Sequence, residues 1–224
     1  MKFTIENVSK YHCSGCSACA NLCPVNAISM QENEEGFLFP HIDHEKCTSC
    51  GLCYNKCPSV NFDKFESESP TVYGMMANNS MRMTSSSGGM FSVLSKYVFD
   101  QKGVVCGVAN TDTFKLEFVF ATNMEELEPI KGSKYYQAEV GNTYQRIKDY
   151  LREGTLVLFC GCPCQVAGLK NHLGSTNKNL ITADVVCHGI PSYKAVKAYA
   201  ETLTSPENIS EKSFIFYQTK PLRT

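Results

Sequence analysis

Residues 13–24 read CSGCSACANLCP and residues 47–58 read CTSCGLCYNKCP, one spacing written twice. Each copy is C-x2-C-x2-C-x3-C-P, and the two begin 34 positions apart, at Cys13 and Cys47. Together they hold eight of the chain's 13 cysteines. Neither copy carries enough apolar side chains to form a core of its own. The element that organises this end of the chain is therefore inorganic.

A [4Fe-4S] cube takes a thiolate at each of its four irons, and three cysteines spaced by two residues can wrap one cube from a single loop. The fourth follows three residues later at the head of a short helix and points away from its own loop, as in two-cluster modules where it ligates the other cluster. Cluster one is accordingly assigned to Cys13, Cys16, Cys19 and Cys57, and cluster two to Cys47, Cys50, Cys53 and Cys23. Pro24 and Pro58 remove a donor and restrict the backbone just after the last ligand. Tetrahedral zinc also takes C-x2-C pairs, but it would leave the third close thiolate of each copy without a role. Disulfides fit less well, because so many adjacent thiols behind MKFTIENVSKYHC, a start with no apolar signal core, suit a reducing compartment. Between the copies, PVNAISM and FLFPHID flank the acidic QENEEG and read as a hairpin. Ile28, Phe37, Phe39, Ile42 and Val60 are expected to shield the clusters, and FTIENV to add an edge strand.

At 224 residues the chain has room for such a module and a moderate second domain. Lys and Arg total 21 against 22 Asp and Glu, a formal net charge of -1, and no block of like charge stands out. Nothing here argues for a nucleic-acid partner. The longest apolar runs are strand-sized, which predicts a cytoplasmic protein without a transmembrane segment. Residues 1–63 read as the dicluster domain, 64–84 as a linker and 85–224 as the second domain. Met75, Met76, Met81 and Met83 give the linker an apolar contact surface. From Ser85 onward, apolar strands alternate with helices, the pattern of an α/β layer whose sheet is mostly parallel. Ligands in such sheets gather at the carboxyl ends of strands, where residues 161–165 and 187–192 fall. Cys106 and Cys160, inside strands, read as structural. A thioredoxin-like exchange between Cys162 and Cys164 is disfavoured by their single intervening residue, Pro163.

SSSGGMFSVL, KGSKYYQAEVG, LFCGCPCQVAGLKNHL and DVVCHGIPS, in that order, resemble the successive motifs of the coenzyme F420 hydrogenase/dehydrogenase beta-subunit family. The dicluster motif in front resembles the form of that family fused to a ferredoxin domain. The resemblance implies FAD in the α/β domain and electrons exchanged among flavin, iron-sulfur centres and a redox partner protein or a soluble carrier such as coenzyme F420 or ferredoxin. It implies that Ser86, Ser87, Gly88 and Gly89 form a turn opening a helix beside the flavin pyrophosphate, a use that suits helix N-termini. Lys131, Gly132, Ser133 and Lys134 resemble the family's lysine-serine loop, a source of cationic charge. Cys164 and Cys187 resemble ligands of a third [4Fe-4S] cluster, whereas Cys162 stands where the family commonly has threonine. Family members run beyond PLRT, so the resemblance implies a C-terminally truncated, partial flavin domain with an incomplete third cluster, and leaves catalytic activity open.

The expected architecture is an α+β ferredoxin-like dicluster domain followed by a partial α/β domain. The expected function is that of an iron-sulfur flavoprotein oxidoreductase fragment. The alternative is a non-catalytic electron-transfer ferredoxin subunit whose second domain only docks a partner.

Overall fold

The computed structural model describes residues 3–61, 70–111, 115–174 and 176–203. The boundary read between residues 63 and 64 and the stretch 204–224, with SFIFYQTK, lie outside these residues. The lead segment forms a 3-10 turn, Ile5–Asn7, where an edge strand was expected. Thr4 N donates to Asn7 Oδ1 at 2.8 Å, closing the turn locally, and Ile5 drops into the core. Helix α1 (Ala18–Leu22) follows the first cysteine loop, and helix α2 (Leu52–Asn55) follows the second. Between them β1 (Ile28–Glu32) and β2 (Leu38–Ile42) pair antiparallel, with Ile28 opposite Ile42. Asn33 fastens their turn, its Oδ1 accepting from Phe37 N at 2.8 Å. The core here is largely sulfur: Ile5 and Ile42 are buried with Cys19, Cys53 and Cys57, and Ile28 packs against them. Phe37 and Phe39 are partly exposed and Val60 is 38% exposed, so these three shield less than expected.

The predicted linker contains a helix, α3 (Asn79–Met83), started by Asn78 Oδ1 accepting from Met81 N at 3.1 Å. Then come α4 (Met90–Asp100), β3 (Val104–Asn110), β4 (Leu116–Ala121), α5 (Met124–Leu127) and β5 (Ala138–Glu139). The chain continues through α6 (Thr143–Arg152), β6 (Val157–Gly161), α7 (Pro163–Leu173), β7 (Leu180–Asp184) and α8 (Tyr193–Leu203). The sheet order is β5-β4-β3-β6-β7. Strands β3, β6 and β7 are parallel, β4 runs antiparallel to β3, and β5 is parallel to β4. The sheet is thus mixed but mostly parallel, and the ends of β3, β6 and β7 share one rim.

The α4 face buries Val98, Val105, Leu127, Ile130 and Leu158. The other face, under α6 and α7, buries Tyr144, Ile147, Val157, Phe159 and Leu169. Strand β6, interior between β3 and β7, is buried on both faces, which explains its continuous apolar run. Ala18 of the dicluster region belongs to this second core and is 1% exposed. Helix α1 packs on α6 and α7, so the two regions share one hydrophobic interior. Polar bonds finish the junction. Leu38 N donates to Gln137 Oε1 at 2.7 Å, Asn21 Nδ2 to Gly141 O at 2.8 Å, Asn171 Nδ2 to Lys56 O at 2.9 Å, and Lys194 Nζ to Glu34 O at 2.7 Å.

Candidate functional site

The two cysteine loops repeat in backbone as well as spacing. Gly15 and Ser49, just before the second cysteine of each copy, have φ of 65° and 51°. Ser17 and Gly51, just after it, have φ of 61° and 78°. Left-handed residues flanking one position bend the chain around it and turn successive N–H groups inward, the concave arrangement that suits anionic iron-sulfur sites. Glycine takes this conformation without penalty and serine at modest cost.

Cys13, Cys16, Cys19 and Cys57 line one cavity, with Ile5, Ala18, Met30 and Pro40 among its apolar walls. Burial pushes the Cys13 and Cys19 thiols up and Cys16 up to about 12, and the nearby Cys57 thiol adds to each. Such thiols stay protonated until a metal cation offsets their desolvation, so loading iron releases protons. Around the second loop Cys53 is buried, Cys47 is half-buried and Cys50 is exposed. Ala27 N donates to Cys23 Sγ at 3.2 Å and Ser49 N to Cys47 Sγ at 3.4 Å. Among the described residues, no three His, Cys, Asp or Glu side chains close around a point as a single metal ion requires. Thiols spread around a cavity meet the different demand of a polynuclear cube.

The first loop is built into the second domain. Tyr144, fully buried, reaches Cys16 O at 2.8 Å and Gln165 O at 3.0 Å with its hydroxyl, whose one proton both carbonyls share. Gly168 on α7 allows this approach. A Cβ there would stand 3.1 Å from Tyr144 Oη and 3.4 Å from Cys16 Sγ.

At the sheet rim, Cys160 is opposite Ala183 and Gly161 opposite Asp184, and Val185 N continues the ladder to Gly161 O at 3.2 Å. The chain then diverges into α7 on one side and the loop through Cys187 on the other. Cys162 caps α7, its N–H donating to Gln165 Oε1 at 2.8 Å in a capping box. Burial, reinforced by the neighbouring Cys187 and Cys164 thiols, pushes Cys162 up to about 12. Cys164 lies near both and near Ser14, and close enough to influence Cys13 and Cys16. Sequence reasoning placed Cys164 and Cys187 here; it left Cys162 without a role. Cys106 is fully buried in the core as expected, and burial pushes half-buried Cys160 up to about 11.

The two loops expected to serve a flavin lie together on the α4 side, Lys131 Nζ donating to Thr84 Oγ1 at 3.3 Å. A Cβ on Gly132 would stand 3.8 Å from Ser86 Oγ. Their cations, however, face inward. Lys131 pairs with Glu128 at 2.7 Å, and Lys134 Nζ donates among the carbonyls of Pro129, Ile130, Lys131 and Gly132 at 2.7 to 3.3 Å. Burial pulls Lys134 down to about 8. The acceptors that fold around it were invisible in the sequence, where KGSK reads as a free basic loop. Ser133 is half-buried beside them. The turn behaves as expected on one side only. Gly89, with φ 75°, is the N-cap of α4 and supplies no side-chain cap, while Ser87 has φ 53°. On the other side the strap covers the glycines: Ala77 N donates to Gly88 O at 2.7 Å, and a Gly88 Cβ would stand 3.1 Å from Met75 O. Beside it runs an open groove of about 610 Å³ lined by Met75, Met76, Met81, Met90 and Val93.

Three family models match. Residues 12–61 match a 4Fe-4S dicluster domain. Residues 71–143 and 154–220 match the N-terminal and C-terminal parts of the coenzyme F420 hydrogenase/dehydrogenase beta subunit, together more than half of the chain. The chain belongs to that beta-subunit family. It is an iron-sulfur protein of electron transfer, and its eight N-terminal cysteines serve two [4Fe-4S] clusters. A solved chain of the F420-reducing [NiFe] hydrogenase complex from Methanosarcina barkeri is similar at 17% identity and a TM-score of 0.45. That match covers 57% of this beta-subunit-family chain and 47% of the solved one. No curated protein matches. Among the described residues, no helix is long and apolar enough to cross a membrane.

Proposed function

We propose that this chain passes electrons between its two [4Fe-4S] clusters, an FAD held by residues 85–224, and a soluble carrier such as coenzyme F420 or ferredoxin, within the cytoplasm. The observation that carries this reading is the asymmetry of the two cysteine loops. The first has Ala18 in the core of the second domain and Tyr144 on Cys16 O, whereas the second leaves Cys50 exposed. The exposed loop suits a docking partner, and the embedded one suits exchange with the α/β domain. Iron-sulfur clusters supply single-electron steps and a flavin links these to two-electron chemistry. The protein's own part is to hold the first loop dry and close. The shared cavity of Cys13, Cys16, Cys19 and Cys57 supports the crossed ligation, with Cys47, Cys50, Cys53 and Cys23 as the second set. All 13 cysteines are free of disulfides, which suits a reducing compartment.

For the flavin, the uncapped start of α4 at Ser86, Ser87, Gly88 and Gly89 would face the pyrophosphate, since unsatisfied N–H groups and the positive helix end favour anions. Lys131, Ser133 and Lys134 would then shape the neighbouring wall. The inward lysines make backbone donors, rather than ammonium groups, the principal contacts. At the rim, Cys164 and Cys187 are proposed as ligands of a third cluster.

The alternative, an electron carrier whose second domain only docks a partner, draws on the same inward lysines and on the strap over Gly88. Titrating anaerobic protein with FAD, then assaying reduction of F420 and viologen dyes, separates the two. Saturable flavin binding with carrier reduction is expected. No FAD binding in protein that holds both ferredoxin clusters would leave the carrier reading in its place.

A further inference from the structure

Of the five cysteines outside the dicluster motif, three converge. Cys162 and Cys164 come from the start of α7, and Cys187 from the loop after β7. The ladder through Gly161, Asp184 and Val185 forces the two strand ends to leave the sheet side by side, so the convergence follows from the parallel register. Cys162 is an unusual choice where it stands. Ser, Thr, Asp and Asn cap helices well, and capping alone would select one of them. In the capping box at α7 the Gln165 side chain accepts from Cys162 N and the Cys162 sulfur, a weak acceptor, faces the N3 N–H, with the Cys187 thiol its neighbour.

We infer that Cys162 supplies a third thiolate to the rim site, so that Cys162, Cys164 and Cys187 together hold an iron-sulfur cluster. This rests on the reading of Cys164 and Cys187 as cluster ligands and adds the residue that reading omits. Two observations support it. Helix α7 runs 11 residues from this point, and its positive end favours thiolate ligands. Cys164 also shares Ser14 with the first cysteine loop, so a cluster here would adjoin the first one directly.

The test uses the full chain reconstituted anaerobically with iron and sulfide, and compares it with Cys162→Thr, which keeps a capping oxygen but removes the thiol. The expected result is about four irons beyond the eight of the dicluster motif in the parent protein, and their loss in Cys162→Thr with both ferredoxin electron paramagnetic resonance signals intact. A variant that keeps the extra irons and an unchanged spectrum overturns the role of Cys162 and leaves Cys164 and Cys187 as ligands. A parent protein that stops at about eight irons overturns both readings. Independently of how the variant folds, iodoacetamide mapping of the iron-loaded parent should find Cys162 as protected as Cys164. Alkylation of Cys162, or a Cys162 to Cys187 disulfide found by non-reducing mass spectrometry of that sample, overturns the inference.

Discussion

The two cysteine loops share spacing, left-handed turns and a following short helix, yet their surroundings differ. After the second cysteine the first loop places Ser17 and Ala18, and the second places Gly51 and Leu52. Ala18 is small enough to let α1 lie on α6 and α7, and it is 1% exposed. Leu52 is partly exposed. Local chelating geometry is thus separable from position in an electron path. The first comes from a dozen residues of backbone, and the second from which helix face a neighbour can approach.

The largest expected effect concerns what the loops have in common. Because the small core is built mainly of cysteine sulfur, removing iron should unfold the dicluster region first, as in other metal-coupled folds. Amide exchange after anaerobic chelation should then lose protection across residues 13–57 while β3 and β6 keep it. Native-like protection of both loops in iron-free protein would break the comparison at its root.

Next, Gly168→Val should act on one loop only. Its side chain would press on Cys16 Sγ and Tyr144 Oη, an overpacking expected to cost about 1–3 kcal/mol. Spectra should change for the first cluster and not the second. Equal perturbation of both would mean that α7 does not address the first loop selectively. Tyr144→Phe is milder. It leaves the Cys16 and Gln165 carbonyls without their shared donor, expected to cost about 1–2 kcal/mol in urea unfolding. An unchanged midpoint would show that water takes over the hydroxyl's role.

The smallest effect is a pH slope on the embedded side. His172 on α7 is 5% exposed, and among the described residues neither ring nitrogen has a hydrogen-bond partner. Burial, with Lys148 adding repulsion and Asp149 partly opposing it, pulls its pKa down to about 4. The unfolded chain binds this proton more readily, so stability is full above about pH 6.5 and falls as pH drops toward 4. The slope contributed is at most about 1.4 kcal/mol per pH unit. Unfolding curves of His172→Phe should lack this contribution. A variant with the parent's full slope would assign it to carboxylates elsewhere.

Much of the architecture was legible because it depends on short-range rules. The repeated cysteine spacing named the clusters, apolar runs named β3, β4, β6 and β7, and strand-then-loop punctuation put Cys164 and Cys187 at one rim. The local readings needed revising where a pattern met a distant partner. FTIENV alternates like a strand, but Asn7 closes it into a turn. Gly88 reads as room for a ligand, but Met75 approaches there. KGSK reads as free charge, but the carbonyls of residues 129–132 enclose Lys134.

By itself, then, the sequence determined the ligands of the dicluster module, the alternation of strands and helices, and the family motifs, since covalent spacing and residue type limit what a dozen neighbouring residues can do. Tertiary structure alone decided which cysteine loop joins the second domain, where Cys162 points, and whether the lysines face outward. These depend on contacts such as Tyr144 to Cys16, which bridge 128 positions of chain, and on side-chain volumes that matter only once α1, α6 and α7 are brought together. No local spacing encodes that meeting.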